Sequence, residues 1–289
     1  MQSKWIFLSF AILAIIFLGA CQTANLPTDP DSVGVPSNDV EVNEQSTTPE
    51  PQVNDYSCVN PVSADKKLCD AYEQQILASV VRLEVRGPSG DNPDQLTGGI
   101  AHGTIKDGRY LVVHNHFGVD LSVFAEDYYP GYASVRMYRP NGRLILMGAG
   151  PPLFEVVLED AETLVLDFGA DDSGLGFFDQ FEIPSAEFAS WGESGLQPGV
   201  EVAQVVWDGE YTYIDWVVVN KVVVAEGTPQ LIIRNEIELG SSGGGIFLNG
   251  DHIANNWLSA EFASDGQPVN ELLSIAALNS ERVVGTGLQ

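Results

Sequence analysis

A glycine-rich run at residues 240–245, GSSGGG, contains two adjacent serines, Ser241 and Ser242. A serine hydroxyl is a weak nucleophile until a neighbouring base takes its proton, and the oxyanion formed when it attacks a carbonyl needs preorganised hydrogen-bond donors. Glycines let a backbone turn so that two N–H groups point at one place. The run is therefore a candidate for acyl-transfer chemistry, the alternative being a glycine-rich hairpin without chemistry.

Two histidines, His114 and His116, stand at the end of the segment at residues 107–116. An imidazole titrates near neutral pH and has two nitrogens for two tasks, so either ring suits a general base. If the strand continues, the two side chains share one face. That spacing also fits metal ligation, with His102 or His252 as a third ligand, but a metal site leaves the GSSGGG run unexplained.

The elements that must position these residues are β-rich from residue 79 onward. Short runs rich in Val, Ile and Leu alternate with Gly, Asn, Asp and Pro, at 79–86, 109–115, 143–148, 163–168, 200–207, 216–225, 230–235 and 252–257. So many short strands without intervening helices predict an antiparallel all-β fold. A break between Pro184 and Pro198 divides the strands into two sets. Helical patterns are predicted at 62–79 and, as a short closing helix, at 271–278.

The order of the segments 98–105, 107–116, 160–166 and 240–247 resembles the trypsin-like serine peptidases, especially the bacterial HtrA-like branch. In that family a small-x-Gly strand, a strand ending in the base histidine, an acid before an alternating strand and a Gly-x-Ser-Gly-Gly loop follow one another. The resemblance covers roughly residues 79–260. It implies two antiparallel six-stranded β-barrels, at about 79–190 and 196–275 of a domain spanning 79–289, with the site between them.

The resemblance also implies the catalytic roles. Ser242 occupies the position of the nucleophile, and the N–H groups of Gly240 and Ser242 the position of the oxyanion hole. His116 corresponds to the general base, with His114 as the alternative base. Ser241 takes the position that holds an Asp in animal enzymes activated by a newly cut N-terminus, so no activation of that kind is expected.

The third catalytic residue departs from the family pattern. Where the family has an Asp directly before its strand, this chain has Glu162, and Asp160 lies two positions upstream. Glutamate is one methylene longer, so it fits only if the backbone recedes slightly. We favour Glu162 over Asp160 as the residue that orients the imidazole.

Three residues are weak candidates for a substrate pocket. Glu236 stands six positions before Ser242, where the family's pocket floor often lies, and an acid there would attract a basic side chain or merely add to an acidic surface. Asn256 and Trp257 resemble the strand that pairs with a bound peptide, although Trp257 suits a barrel core equally well. The resemblance implies no cofactor and no metal.

Charge and composition exclude two classes of protein. The chain has 40 acids against 13 Lys and Arg, a net charge of -27, so it has no basic surface for nucleic acid. Its hydrophobic residues, 44% of the sequence, are sufficient for a packed core, which excludes wholesale disorder.

The first 57 residues predict export and anchoring. Residues 1–20 have the basic start and apolar run of a signal peptide, and Leu18 to Cys21 resembles the bacterial lipobox, in which the cysteine is lipidated. Residues 21–57 predict a disordered acidic tether. In an oxidising exterior, Cys58 and Cys69 are expected to form a disulfide within a helical segment at 58–78, the alternative being two free thiols.

Together these observations predict a serine endopeptidase that hydrolyses protein or peptide substrates through an acyl-enzyme. It would be exported and lipid-anchored through Cys21 to the cell membrane or outer membrane of a bacterium. The alternative function is a catalytically inactive protein of the peptidase fold that binds peptides or a partner at the membrane.

Overall fold

The computed structural model describes residues 56–92, 94–124, 133–148, 153–160, 162–225, 228–235, 237–264, 267–285 and 288. All of them belong to one compact unit, Glu50–Gln289. The signal peptide predicted at 1–20, the lipidation site at Cys21 and nearly all of the tether predicted at 21–57 lie outside the described residues.

Two antiparallel β-structures and two helices make up the described chain. The helices are α1 (Ser63–Ala78) and α2 (Ser280–Gly285). The strands are β1 (Val80–Pro88), β2 (Leu96–Lys106), β3 (Tyr110–Val113), β4 (Ser134–Tyr138), β5 (Leu144–Gly148), β6 (Glu155–Glu159), β7 (Leu164–Asp167), β8 (Glu201–Trp207), β9 (Thr212–Ala225), β10 (Thr228–Ile233), β11 (Gly245–Leu248), β12 (Asp251–Ser264) and β13 (Gln267–Ala277).

Strands β1 to β7 form one sheet in the order β5-β4-β1-β2-β3-β7-β6. Its core is aliphatic and aromatic, with Leu83, Ile105, Leu111 and Leu166 fully buried. Burying such a side chain contributes about 1.5 to 3 kcal/mol relative to leaving it in water. Because β3 and β7 pair with each other and bury every side chain, the turns that follow β3 and precede β7 are held against each other.

Strands β8 to β13 close into a barrel in the order β10-β13-β12-β11-β8-β9. Its interior cluster includes Val202, Leu231, Ile246 and Ile253, all buried. A closed barrel has no free sheet edge, so its strands are fixed in register around the whole circumference.

The predicted fold class is confirmed: the chain is all-β and antiparallel, in two halves, and the second half is a closed six-stranded barrel. The first half differs from the predicted six-stranded barrel, since its strands in the described residues form a seven-stranded sheet that does not close. Its two edge strands are β5, which pairs with β4, and β6, which pairs with β7 on the side opposite β3.

The N-terminal helix and disulfide are present as predicted. Helix α1 buries Ile76 against the barrel residues Val205 and Phe247, and a disulfide joins Cys58 to Cys69 on the same helix. The segment before the helix is docked by Glu201 of β8, whose carboxylate accepts the N–H groups of Cys58 (2.6 Å) and of the following residue (3.1 Å). The described chain therefore begins on the surface of the barrel.

The closing helix predicted at 271–278 is wrong. Those residues belong to β13, which pairs with β10 and β12. A strand buried on both faces is a continuous apolar run, which periodicity alone does not separate from a buried helix. The closing helix is α2, which starts at Ser280 and buries Val283 in a cluster with Tyr110 and Val112 of the first sheet.

In the described part of the chain, no helix has both the length and the apolar character needed to span a lipid bilayer.

Candidate active site

The glycine loop, defined as residues 240–244, lies between β10 and β11 and has an unusual backbone. The angle φ is +99° at Gly240 and +79° at Gly243. A Cβ at Gly240 would collide with the indole ring of Trp207, and one at Gly243 would collide with the carbonyl oxygen of His102. Both positions therefore require glycine, for their dihedral angles and for the close approach of neighbours.

Hydrogen bonds fix the first half of this loop. The N–H of Ser241 donates to the Glu238 carbonyl (3.0 Å), and the N–H of Gly244 donates to the Ser241 carbonyl (3.0 Å). The Ser241 hydroxyl oxygen accepts the backbone N–H of Trp207 (2.9 Å). The fully buried Ser241 side chain thus links the loop to β8.

Asn256 fixes the second half of the loop from β12. Its backbone carbonyl accepts the N–H of Gly243 (2.7 Å), and its own N–H donates to Gly244 (2.8 Å). Its side-chain amide donates to the Val205 carbonyl (2.7 Å) and accepts from Gln204 (2.8 Å). Asn256 was predicted as a pocket residue, but it is fully buried and its amide is engaged with the protein.

Two N–H groups of the glycine loop remain without a partner in the described part of the chain: those of Gly240 and Ser242. These are the two groups that the sequence predicted as an oxyanion hole. The Ser242 hydroxyl, on a half-buried side chain, donates to the Trp257 carbonyl at 3.4 Å, which is a long and weak bond.

The two histidines lie directly after β3, and they differ in exposure. His114 is buried, whereas His116 is exposed. The backbone N–H of His116 donates to Nδ1 of His114 (2.9 Å), and the two rings stack with their centroids 3.7 Å apart. Because Nδ1 of His114 accepts, the ring's proton is on Nε2, and this buried Nε2 has no partner among the described residues.

The imidazole of His114 approaches the glycine loop at Gly243. A Cβ built on Gly243 would lie 3.1 Å from Cδ2 of His114, so the His114 edge faces the loop. In the part of the chain that the structure describes, no hydrogen bond joins the Ser242 hydroxyl to either imidazole. Burial lowers the pKa of His114 well below 6.5, with a further contribution from His116, and partial desolvation lowers the pKa of His116. Both rings are therefore neutral at pH 7.

The two candidate acids have different surroundings. Asp160 accepts the backbone N–H groups of Glu162 (3.1 Å) and Thr163 (2.8 Å), and its other oxygen pairs with Arg282 of α2. Its carboxylate is therefore occupied by a turn and an ion pair. Glu162 is buried, and its Oε2 accepts the hydroxyl of Thr228 at 3.4 Å. In the described residues, no hydrogen bond links the His116 ring to a carboxylate.

The other two pocket candidates give less information. Glu236 lies outside the described residues. Trp257 is half-buried and packs on a cluster formed by Ile232, Leu273 and Ile275 of the barrel. Its indole therefore belongs at least partly to the barrel wall, which was the alternative reading of this residue.

A cavity of about 570 Å³ opens beside His116. Phe117 and Leu164 form part of its wall, and Asp120, Glu155 and Glu159 give it three carboxylates. The space next to the exposed imidazole is therefore acidic.

Sequence reasoning missed the role of His102, which it considered only as a third metal ligand. The imidazole of His102 bonds the Gly240 carbonyl and the Thr212 hydroxyl, and its backbone N–H donates to the Ser242 carbonyl (2.9 Å). The signal available in the sequence was a histidine inside a strand just before Gly103. His252 lies elsewhere, bonded to Ser280. Among the described residues, no group of three or more His, Cys, Asp and Glu is arranged to hold a metal.

No protein-family model matches the chain, and no curated protein matches it. Among solved structures, the chain is similar to the HtrA-type protease AlgW with a decapeptide, at 14% sequence identity and a TM-score of 0.49, over 76% of this chain and 67% of that chain. A likeness at this level says nothing about activity.

Proposed function

We propose that this protein is a serine endopeptidase whose nucleophile is Ser242. One observation carries the proposal: the glycine loop is held by bonds from three strands, yet the N–H groups of Gly240 and Ser242 are left without a partner in the described residues. Buried or half-buried backbone donors are normally satisfied, so a pair left open beside a serine hydroxyl suits an oxygen that develops negative charge.

In the proposed reaction, the Ser242 oxygen attacks a peptide carbonyl while His116 takes the hydroxyl proton. The carbonyl oxygen becomes negative and accepts the two free N–H groups. The protonated imidazole then gives its proton to the leaving amine, which leaves an acyl-enzyme that water hydrolyses by the same steps. We assign to Glu162 the role of orienting the His116 ring and stabilising its positive charge, because the Asp160 carboxylate already pairs with Arg282.

The reaction requires Ser242 and His116 to turn toward each other. The hydroxyl must leave the Trp257 carbonyl, which costs little because that bond is 3.4 Å long. Among the described residues, His116 is held through its backbone N–H and the stacked ring of His114, and because its side chain is exposed we expect the ring to rotate. Catalytic hydrogen bonds are often long or misaligned before substrate binds.

The test is covalent labelling with a fluorophosphonate probe and mapping of the adduct by mass spectrometry. We expect stoichiometric labelling at Ser242 that is lost in Ser242→Ala and falls sharply in His116→Ala. Ser173→Ala, which changes an exposed turn serine, is the matched control and should label normally. Absence of labelling in the folded wild-type protein would overturn the proposed function.

A second candidate function is a peptide-binding protein with the same fold and no catalysis. The observation that favours it is the hydroxyl of Ser242 bonded to Trp257 O instead of to an imidazole. Under this alternative, the two free N–H groups bind a carbonyl or carboxylate oxygen of a ligand without chemistry. The labelling experiment separates the two, because a binding protein would leave the probe intact.

We also propose that the protein is exported and anchored by lipid on Cys21. The support is the apolar run of residues 1–20 and the Leu18 to Cys21 sequence, followed by an acidic, Pro- and Ser-rich stretch. Metabolic labelling with a fatty-acid analogue should be lost in Cys21→Ser and kept in the wild type. Retained label in that variant would refute the anchor.

A further inference from the structure

His102 connects the first sheet to the glycine loop through its ring. Its Nδ1 lies 2.8 Å from the Gly240 carbonyl oxygen, and its Nε2 lies 2.7 Å from the Thr212 hydroxyl. A carbonyl can only accept, so Nδ1 carries the proton, and Nε2 accepts the proton of the Thr212 hydroxyl. These two contacts select one neutral tautomer and fix the plane of the ring.

The surroundings keep this imidazole neutral. His102 is fully buried, and burial lowers its pKa to about 4, against a smaller opposing effect of the bond to Gly240. The charged or titratable groups that face it are Arg82, its cross-strand partner on β1, and the neutral His114 after β3. The guanidinium of Arg82 stacks over the indole of Trp207, so its positive charge stays beside the His102 imidazole.

The bond to Gly240 matters because glycine has no side chain to restrict its backbone. At φ +99° the residue is in a region that glycine leaves easily for others of similar energy. The Nδ1–H bond holds the peptide plane that follows Gly240, and the backbone N–H of His102 holds the carbonyl of Ser242. Both ends of the segment that carries the free N–H groups are therefore tied to one residue of β2.

We propose that His102 is a positioning residue: its imidazole holds the Gly240 carbonyl so that the N–H groups of Gly240 and Ser242 point toward the reacting oxygen. This inference rests on the proposed function and adds to it a residue that does not touch substrate. Removing a single oxyanion-hole donor slows serine hydrolases about 10²- to 10³-fold, which bounds the effect of misplacing one.

Four substitutions test the role. His102→Leu removes both ring bonds, and His102→Asn keeps an N–H donor at the place of Nδ1. Thr212→Val removes the hydroxyl that fixes the tautomer. Thr104→Val is the matched control for Thr212→Val. Thr104 lies on β2, the strand of His102, and its buried hydroxyl has no partner in the described residues.

Two measurements are made on each variant of the full chain. The first is the concentration dependence of fluorophosphonate labelling, which separates the maximal labelling rate from the probe's apparent affinity. The second is hydrogen exchange of the peptide covering residues 238–246, whose N–H groups at Ser241, Gly243 and Gly244 report opening of the loop.

We expect His102→Leu to lower the maximal labelling rate about 100-fold with little change in apparent affinity, and His102→Asn to recover most of it. Thr212→Val should lose several-fold, and Thr104→Val nothing. The loop should exchange faster in His102→Leu and, less so, in Thr212→Val. If His102→Leu fails to fold, His102→Asn, Thr212→Val and Thr104→Val are compared by the same labelling rates and exchange rates.

The positioning role would be overturned if His102→Leu labelled and exchanged at the wild-type rates, or if Thr212→Val and Thr104→Val had equal effects. Either result would leave the peptidase proposal standing. A wild-type protein that does not label at all would overturn the peptidase proposal instead. The exchange data would then still judge whether His102 holds the loop.

Discussion

The glycine loop and the segment that carries the two histidines differ in how firmly they are held. The loop is tied by Ser241, Asn256 and His102 to strands of both halves of the molecule. His116, in contrast, is exposed and held by one backbone bond and one stacked ring. Under the proposed function, the backbone donors for the oxyanion would be held in place before substrate binds, whereas Ser242 and His116 would come together only when it does.

The difference has a physical origin. The loop contacts β2, β8 and β12, so its position is set by the junction of the sheet and the barrel. His116 follows β3 and precedes Gly118, at the mouth of an acidic cavity, where fewer groups restrict its ring. A site with one rigid and one adjustable part predicts unequal responses to substitution.

The largest expected effect is at the rigid part. Gly243→Ala places a Cβ against the His102 carbonyl oxygen at a φ of +79°, so the loop must move. We expect the labelling rate to fall at least 10³-fold and the free energy of unfolding to fall by about 2 to 4 kcal/mol. Gly142→Ala is the matched control, since it has the same φ and open space around it. It should cost about 1 kcal/mol and leave labelling unchanged. Equal outcomes would show that the loop is not rigid.

The second effect separates the two acids. Glu162→Gln should lower the labelling rate about 10²- to 10⁴-fold with little change in stability, because a neutral amide no longer stabilises the imidazolium. Asp160→Asn should keep the rate and lower the free energy of unfolding by about 1 kcal/mol through loss of the Arg282 ion pair. Kinetics and denaturant unfolding of both variants give the measurement, and a reversed pattern would make Asp160 the catalytic acid.

The smallest expected effect is a shift of the pH profile. Partial desolvation lowers the pKa of His116 below 6.5, so the neutral base persists to more acidic pH. The acid limb of the labelling rate constant of the free protein should therefore lie below pH 6.5. If Glu162 contacts the ring before the probe binds, the carboxylate raises that pKa and the limb lies above pH 6.5, which would contradict an unpaired base.

Much of the fold was predictable because it depends on local pattern. The alternating runs predicted most strands, and the predicted break at Pro184 to Pro198 falls between β7 of the sheet and β8 of the barrel. The helix predicted at 271–278 was wrong because residues 273–277 of β13 are buried on both faces, so their pattern does not alternate between buried and exposed, and only the partners β10 and β12 identify the segment as a strand.

The site was predictable in part, for the same reason. GSSGGG predicts a tight turn from its residue types, and the structure has that turn at φ values that need glycine. The pairing of Asp160 with Arg282 and the bonds of His102 to Gly240 and Thr212 join residues far apart in the chain. No local pattern encodes such contacts, which is why His102 was considered only as a metal ligand.

The most direct test of the account is a crystal structure of the fluorophosphonate adduct. The account predicts phosphorus bonded to Ser242 Oγ, with one phosphonyl oxygen about 2.7 to 3.1 Å from the backbone nitrogens of both Gly240 and Ser242. A modified residue other than Ser242, or a phosphonyl oxygen that points away from both nitrogens, would contradict it.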